Sequence, residues 1–269
     1  MRPYPPALTA LVGLTLLIPG CADTPHPDDA PAVSEWSDSV VCRTLGYAGG
    51  AVGVYAIGPE SRQVSLEHLA VGTVGADLAT SGLVRIGKPL VAAAFNGAEH
   101  EWLHIDPEGG EATWSGVTTS AQAIGADDYQ LVTHDPSGGL ARYASYPGLL
   151  LDQAVSVVAA PIDTKPFTIG HDLAYAVDVP SGDVTVFDAR HGTEDVEASF
   201  SSDAGLTAGL SVKGNSLYLL DLLSNTCGDE AELLVFDRLT GTLHDAMCLT
   251  GLVQPSGGLV CESPDEPEG

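Results

Sequence analysis

Two histidines and a glutamate in the run His100-Glu101-Trp102-Leu103-His104 stand at the spacing that metal-assisted hydrolysis uses. On one turn of helix, His100 and His104 would share a face and hold one zinc ion, with Glu101 beside the bound water. The apolar run Leu90 to Phe95 precedes the string, as such a helix requires, but Asn96-Gly97 interrupts it. Pro107 follows, and no third histidine completes a ligand set there. On a strand, residues four apart lie ~13 Å from each other, too far for both to reach one zinc at about 2 Å.

The elements that would have to position these residues read as strands. An aliphatic residue, a glycine one or two places on and then an apolar run recur as Ile86-Gly87 before Leu90 to Phe95, and Ile124-Gly125 before Tyr129 to Val132. Further copies are Ile169-Gly170 before Leu173 to Val177, and Val212-Lys213-Gly214 before Leu217 to Leu220. A weaker one is Leu45-Gly46 before Ala51 to Tyr55. The period is roughly 40 to 45 residues, the length of a four-stranded propeller blade. Turn signals separate the runs: Asp106 to Gly109, Asp135 to Gly139, Pro180 to Asp183, Asp188 to Gly192 and Asp237 to Gly241. Aspartate supplies a local hydrogen bond and glycine a positive φ, so these are hairpin connections. In this register Gly97 to His100 is a turn and Glu101 to Asp106 a strand. The sequence therefore assigns no catalytic and no metal-ligating residue, and a zinc-dependent peptidase at 100–104, or a propeller hydrolase, is the alternative reading.

The pattern resembles quinoprotein-like β-propeller repeats, in which a strand ending in Asp precedes a Gly-containing turn. The resemblance implies an all-β propeller of about five four-stranded blades over residues 40–261. Inner strands are expected to be continuous apolar runs, with Ala92-Ala93-Ala94 near the axis. Val177 and Leu219 are expected at equivalent inner-strand positions of successive blades.

Arg2 and the uncharged stretch Ala7 to Pro19 precede Leu17-Ile18-Pro19-Gly20-Cys21. A membrane span needs roughly 20 apolar residues, so this stretch has the length of a signal-peptide core. The final residues resemble the lipobox of bacterial lipoproteins. That resemblance implies cleavage after residue 20 and acylation of Cys21, a partner membrane reached through the lipid, and a cell-envelope location. Ala22, where an aspartate would signal inner-membrane retention, favours the outer membrane of a Gram-negative cell. Residues 21–39 are rich in Pro, Asp and Ala and read as a disordered tether, and 262–269 as an acidic tail.

Four cysteines remain, an even number in an exported chain. In a closed ring the first and last blades are neighbours, so Cys42 should meet Cys261, while Cys227 and Cys248 should pair within the last blade. Lys and Arg number 10 against 36 Asp and Glu, a net charge of -26; such a surface repels nucleic acid. No stretch matches a calcium loop. Gly82 to Lys88 nearly spells a phosphate-binding loop, but Pro89 stands where the magnesium-holding hydroxyl belongs. Trp36, Trp102 and Trp114 could line a groove or pack in a core. No cofactor is called for. The expected role is a lipid-anchored extracytoplasmic module binding a protein, glycan or small ligand.

Overall fold

The computed structural model describes residues 40–263 apart from 49, 73–77, 107–109, 122, 128–129, 136–138 and 161–165. The signal segment, Cys21, the tether with Trp36, and residues 264–269 lie outside the described residues.

Turn, apolar run and turn alternate through the described residues, and each hairpin extends one antiparallel sheet. β1 (Val41–Ala48), β2 (Ala51–Gly58) and β3 (Gln63–Gly72) come first. A second sheet follows, β4 (Thr80–Arg85), β5 (Leu90–Phe95), β6 (His100–Asp106) and β7 (Glu111–Thr118). The third is β8 (Ala123–Asp127), β9 (Gln130–Asp135), β10 (Gly139–Tyr143) and β11 (Ser156–Ala159), with the short helix α1 (Tyr146–Leu150) between its last two strands. The fourth is β12 (Phe167–Gly170), β13 (Leu173–Asp178) and β14 (Asp183–Asp188), whose outer edge carries β15 (Thr193–Glu194) and β16 (Phe200–Ser201). The fifth is β17 (Thr207–Lys213), β18 (Ser216–Asp221), β19 (Glu232–Asp237) and β20 (Leu243–Cys248). β21 (Pro255–Glu262) then returns to pair with β1. The C-terminus thus supplies the innermost strand of the first sheet, β21-β1-β2-β3.

The inner strands β21, β4, β8, β12 and β17 pack in sequence around one axis, which makes five four-stranded blades in a ring. The crowding there explains their glycines. A Cβ on Gly82 would lie 2.5 Å from the Ile124 carbonyl oxygen of the next blade, and one on Gly209 would lie 2.7 Å from backbone of Gly258. Five apolar clusters fill the five gaps between blades. Between blades four and five, for example, Tyr175, Val177, Val184 and Val186 share a cluster with Leu210, Leu217, Leu219 and Phe236.

Ala92-Ala93-Ala94 and the other repeat runs occupy the second strand of a blade, not the innermost one. Strands here are covered on both sides by neighbouring blades, so a continuous apolar run does not single out the axis. Val177 and Leu219 are both fully buried, but on opposite faces of their sheets, toward the same gap. Strand pairing aligns Leu173 with Asp188 and Ser216 with Asp237, so the equivalent of Val177 is Leu220. The Leu45-Gly46 copy is one strand out of step, because β21 takes the inner place. Glu262, expected in the acidic tail, closes β21.

The aspartate turns form as their local chemistry requires. The Asp188 carboxylate accepts from the Arg190 and His191 N–H groups, and Asp237 from those of Leu239 and Thr240. Gly192 and Gly241, at φ 68° and 67°, complete the two turns. Two disulfides are present: Cys42 with Cys261, directly opposite each other on β1 and β21, and Cys227 with Cys248.

Candidate functional site

The His-Glu-x-x-His string lies on strand β6, not on a helix. Strand alternation sends Trp102 into the cluster between blades two and three, and Leu103 and Ile105 into the cluster between blades one and two. His100 and His104 share the Trp102 face, and Glu101 points to the other. Both conditions of the zinc site fail: the imidazoles are too far apart along the strand, and the carboxylate is behind it. Glu101 instead accepts from the Asn96 side-chain amide at 3.0 Å and from the Gly116 N–H, which locks the hairpin ends of blade two. The His104 ring lies 4.7 Å from that of Tyr146 on α1. Its Nε2 is buried without a partner, and burial pushes its pKa below the ordinary histidine value. Among the described residues, no three His, Cys, Asp or Glu side chains are grouped to hold a metal ion.

The near phosphate loop is likewise not a loop before a helix. Gly82 to Arg85 belong to β4 and the following residues turn into β5. Trp102 is buried between blades two and three, and Trp114 packs partly buried between blades one and two. Trp102 also borders a groove of about 280 Å³ with Tyr143, whose hydroxyl donates to Asp152 at 2.9 Å.

Two further concavities, both larger than this groove, lie at the ends of the ring axis. At the C-terminal ends of the inner strands, a cavity of about 490 Å³ takes residues from all five of them. Arg85, His171, Lys213 and Glu262 line it. Glu262 accepts from Arg85 Nε at 2.7 Å and from Arg43 Nη1 at 2.9 Å, while Arg43 also holds Glu67. Burial works against the Arg43 charge, but the two carboxylates outweigh it and raise its pKa. These ion pairs join β1, β4 and β21, so their first effect is to fasten the first blade to the second.

The opposite mouth, about 360 Å³, is mainly apolar. Its rim is built by one contact repeated around the ring. The residue just before an inner strand accepts a backbone hydrogen bond from the far end of the second strand or just beyond it. The pairs are Phe95 N–H to Ala79, Val177 to Pro166, Leu222 to Leu206 and Tyr47 to Gln254. Ala79, Pro166, Leu206 and Leu222 then face the cavity. Asp221, 2 % exposed, accepts from the Gly205, Leu206 and Leu223 N–H groups at 2.7–3.0 Å. The rim is therefore preformed.

The sequence singled out His100, Arg85 and Cys261 for other reasons, but no signal in it marked the residues of either mouth as a set. They sit at the ends of strands more than a hundred residues apart, and only ring closure gathers them. The nearest local signal is the small residues and glycine that begin most inner strands, as in Thr80-Ser81-Gly82 and Thr207-Ala208-Gly209.

No protein-family model matches the chain, and no curated protein matches it. Solved structures do. The chain is similar to glutaminyl cyclase of Myxococcus xanthus at 14 % identity and TM-score 0.51, over 66 % of this chain and 74 % of that one. The likeness is one of fold. A chain of a nidogen–laminin complex matches at 11 % identity and TM-score 0.42, over 83 % of this chain and 98 % of that one. AztD of Citrobacter koseri matches at 12 % and 0.37, over 84 % and 63 %. A fold shared at such identities carries architecture and no chemistry.

Proposed function

We propose that this protein is a lipid-anchored, extracytoplasmic propeller that works by binding rather than by catalysis, with the axial end of the ring as its recognition surface. The observation that carries the reading is the preformed cavity at each end of the axis, set against the division of the one catalytic-looking string between two sheet faces. Loops presented at the ends of a rigid ring are where propellers place recognition. The two disulfides support an oxidising compartment outside the cytoplasm. No helix among the described residues is long and apolar enough to cross a membrane; the anchor proposed is the lipid on Cys21, at the end of the lipobox-like run from Leu17. Two or more acyl chains at about 0.8 kcal/mol per buried CH₂ give stable attachment.

Two measurements test this. Labelled fatty acid should enter the wild type and not Cys21→Ser, and the variant should leave the membrane fraction; membrane retention of an unlabelled wild type overturns the anchor. The purified protein should hold no stoichiometric zinc. One zinc per chain, lost in His104→Ala, overturns the binding-only reading and restores the peptidase.

A further inference from the structure

Charge is divided along the ring axis. Every lysine and arginine among the described residues stands at or near the end where the inner strands finish. Arg85 and Lys213 close β4 and β17, and Lys88, Arg190 and Arg238 follow in turns at the same end. Arg62 lies in the turn from β2 to β3, and Arg43 is opposite Val260 near the end of β21. Arg142 donates to Gln130 at the start of β9. Carboxylates are interspersed with these cations, and Arg43, Arg62, Arg85 and Arg190 each hold one. The opposite end has carboxylates and, among the described residues, neither lysine nor arginine. Glu99, Asp183, Asp203 and Asp229 are exposed there, between hairpin strands, at the start of β14 or just before β17. The mixed-charge end is also where the chain enters the ring. Val41 opens β1 opposite Glu262, and residues 22–39 separate it from Cys21.

We propose that the mixed-charge end of the ring rests against the anionic lipid headgroups of the membrane that anchors it, with the all-acidic end and its apolar mouth turned outward. The inference rests on the lipid anchor proposed above, and it decides which axial end is left for a partner. At a net charge of -26 the protein as a whole is not drawn to such a surface. The anchor supplies attachment, and the division of charge supplies orientation. An anionic leaflet holds about -30 mV at its surface, felt within a Debye length of roughly 8 Å at physiological salt. Carboxylates without counter-charges are repelled from that layer. Where lysine and arginine match the carboxylates the repulsion is offset, and the exposed cations pair with lipid phosphates. Entry of the chain at this same end lets the ring settle on it without the chain first running the length of the blades.

Two leucines report on the ends: Leu239, 52 % exposed in the turn beside Arg238, and Leu223, 61 % exposed just beyond Asp221 at the acidic end. The full-length protein is anchored in vesicles at Cys21, by its own acyl chains or, where mass spectrometry finds none, by a maleimide lipid on that thiol. Hydroxyl-radical footprinting then reads both leucines in the same sample. On vesicles rich in phosphatidylglycerol the Leu239-to-Leu223 oxidation ratio should fall about threefold below that of the unanchored chain. On phosphatidylcholine vesicles it should keep the unanchored value. Salt at about 1 M, which cuts the Debye length to about 3 Å, should restore the ratio on the anionic vesicles. Glu99→Lys with Asp183→Lys and Asp229→Lys should restore it as well, because the two ends then no longer differ. All three positions are exposed, and an unchanged melting temperature would show that the fold is kept. An unchanged or higher ratio on the anionic vesicles, or an equal fall on phosphatidylcholine, overturns the orientation. Absence of acyl chains on Cys21 overturns the anchor instead, by mass, while the maleimide-held chain still reads the orientation.

Discussion

His104 shows how much a single side chain depends on what surrounds it. Its imidazole is packed against Tyr146 with one ring nitrogen buried and unpartnered, and burial depresses its pKa. In the unfolded chain the same group takes up a proton near pH 6.5. As pH falls below that value the unfolded state binds a proton that the folded state refuses, so stability is lost. The full contribution is present at higher pH. Between pH 7.5 and 5.5 the melting temperature of the wild type should therefore fall more steeply than that of His104→Gln. Equal slopes would mean that His104 is solvated in both states. Asp188 has the same sign, at more acidic pH. The hydrogen bond from His191 and the turn N–H groups lower its pKa, so its contribution holds above the ordinary carboxylate pKa and disappears only as pH falls below it.

Among the elements, the inner strands set the tolerances. A methyl group on Gly82 would collide with backbone of β8, which cannot move aside without shifting a blade. Gly82→Ala should destabilise the protein by about 1–3 kcal/mol, the usual range for overpacking. Gly214→Ala meets nothing within 4 Å and bears only its φ of 57°, so it should cost about 1 kcal/mol. Denaturant midpoints of the two variants check this, and a smaller loss in Gly82→Ala would contradict the crowded axis. Val177→Asp and Leu219→Asp should both be severely destabilising, since each buries a carboxylate in the gap between blades four and five. The aspartate turns were legible in the sequence because the hydrogen bonds that make them span two or three residues. The place of each apolar run within its blade was not legible, because first, second and third strands are all covered on both sides.

The ring as a whole is closed by strand pairing, by a disulfide and by charge, all at one blade. β21 lies between β1 and β4, Cys42–Cys261 spans 219 residues of sequence, and Glu262 ties Arg43 to Arg85. By loop entropy the long bridge contributes at most roughly 5 kcal/mol and the 21-residue Cys227–Cys248 bridge roughly 3. Cys42→Ala with Cys261→Ala should therefore lower the denaturation midpoint more than Cys227→Ala with Cys248→Ala. An equal or smaller effect would show that β21 holds the ring without the covalent link. Glu262→Gln should weaken closure by about 1 kcal/mol, and the difference from wild type should shrink in high salt.

The all-β class, the blade period, the turns and the pairing of the four cysteines followed from the sequence by itself, because each depends on local patterning or on the requirement that a ring must close. Tertiary structure alone decided which strand lies innermost, that His100 and Glu101 face different neighbours, and that an apolar mouth opens where the inner strands begin. Those outcomes depend on contacts between strand ends remote in sequence. A strand's own sequence sets its alternation, but the blades packed against it determine what each face meets.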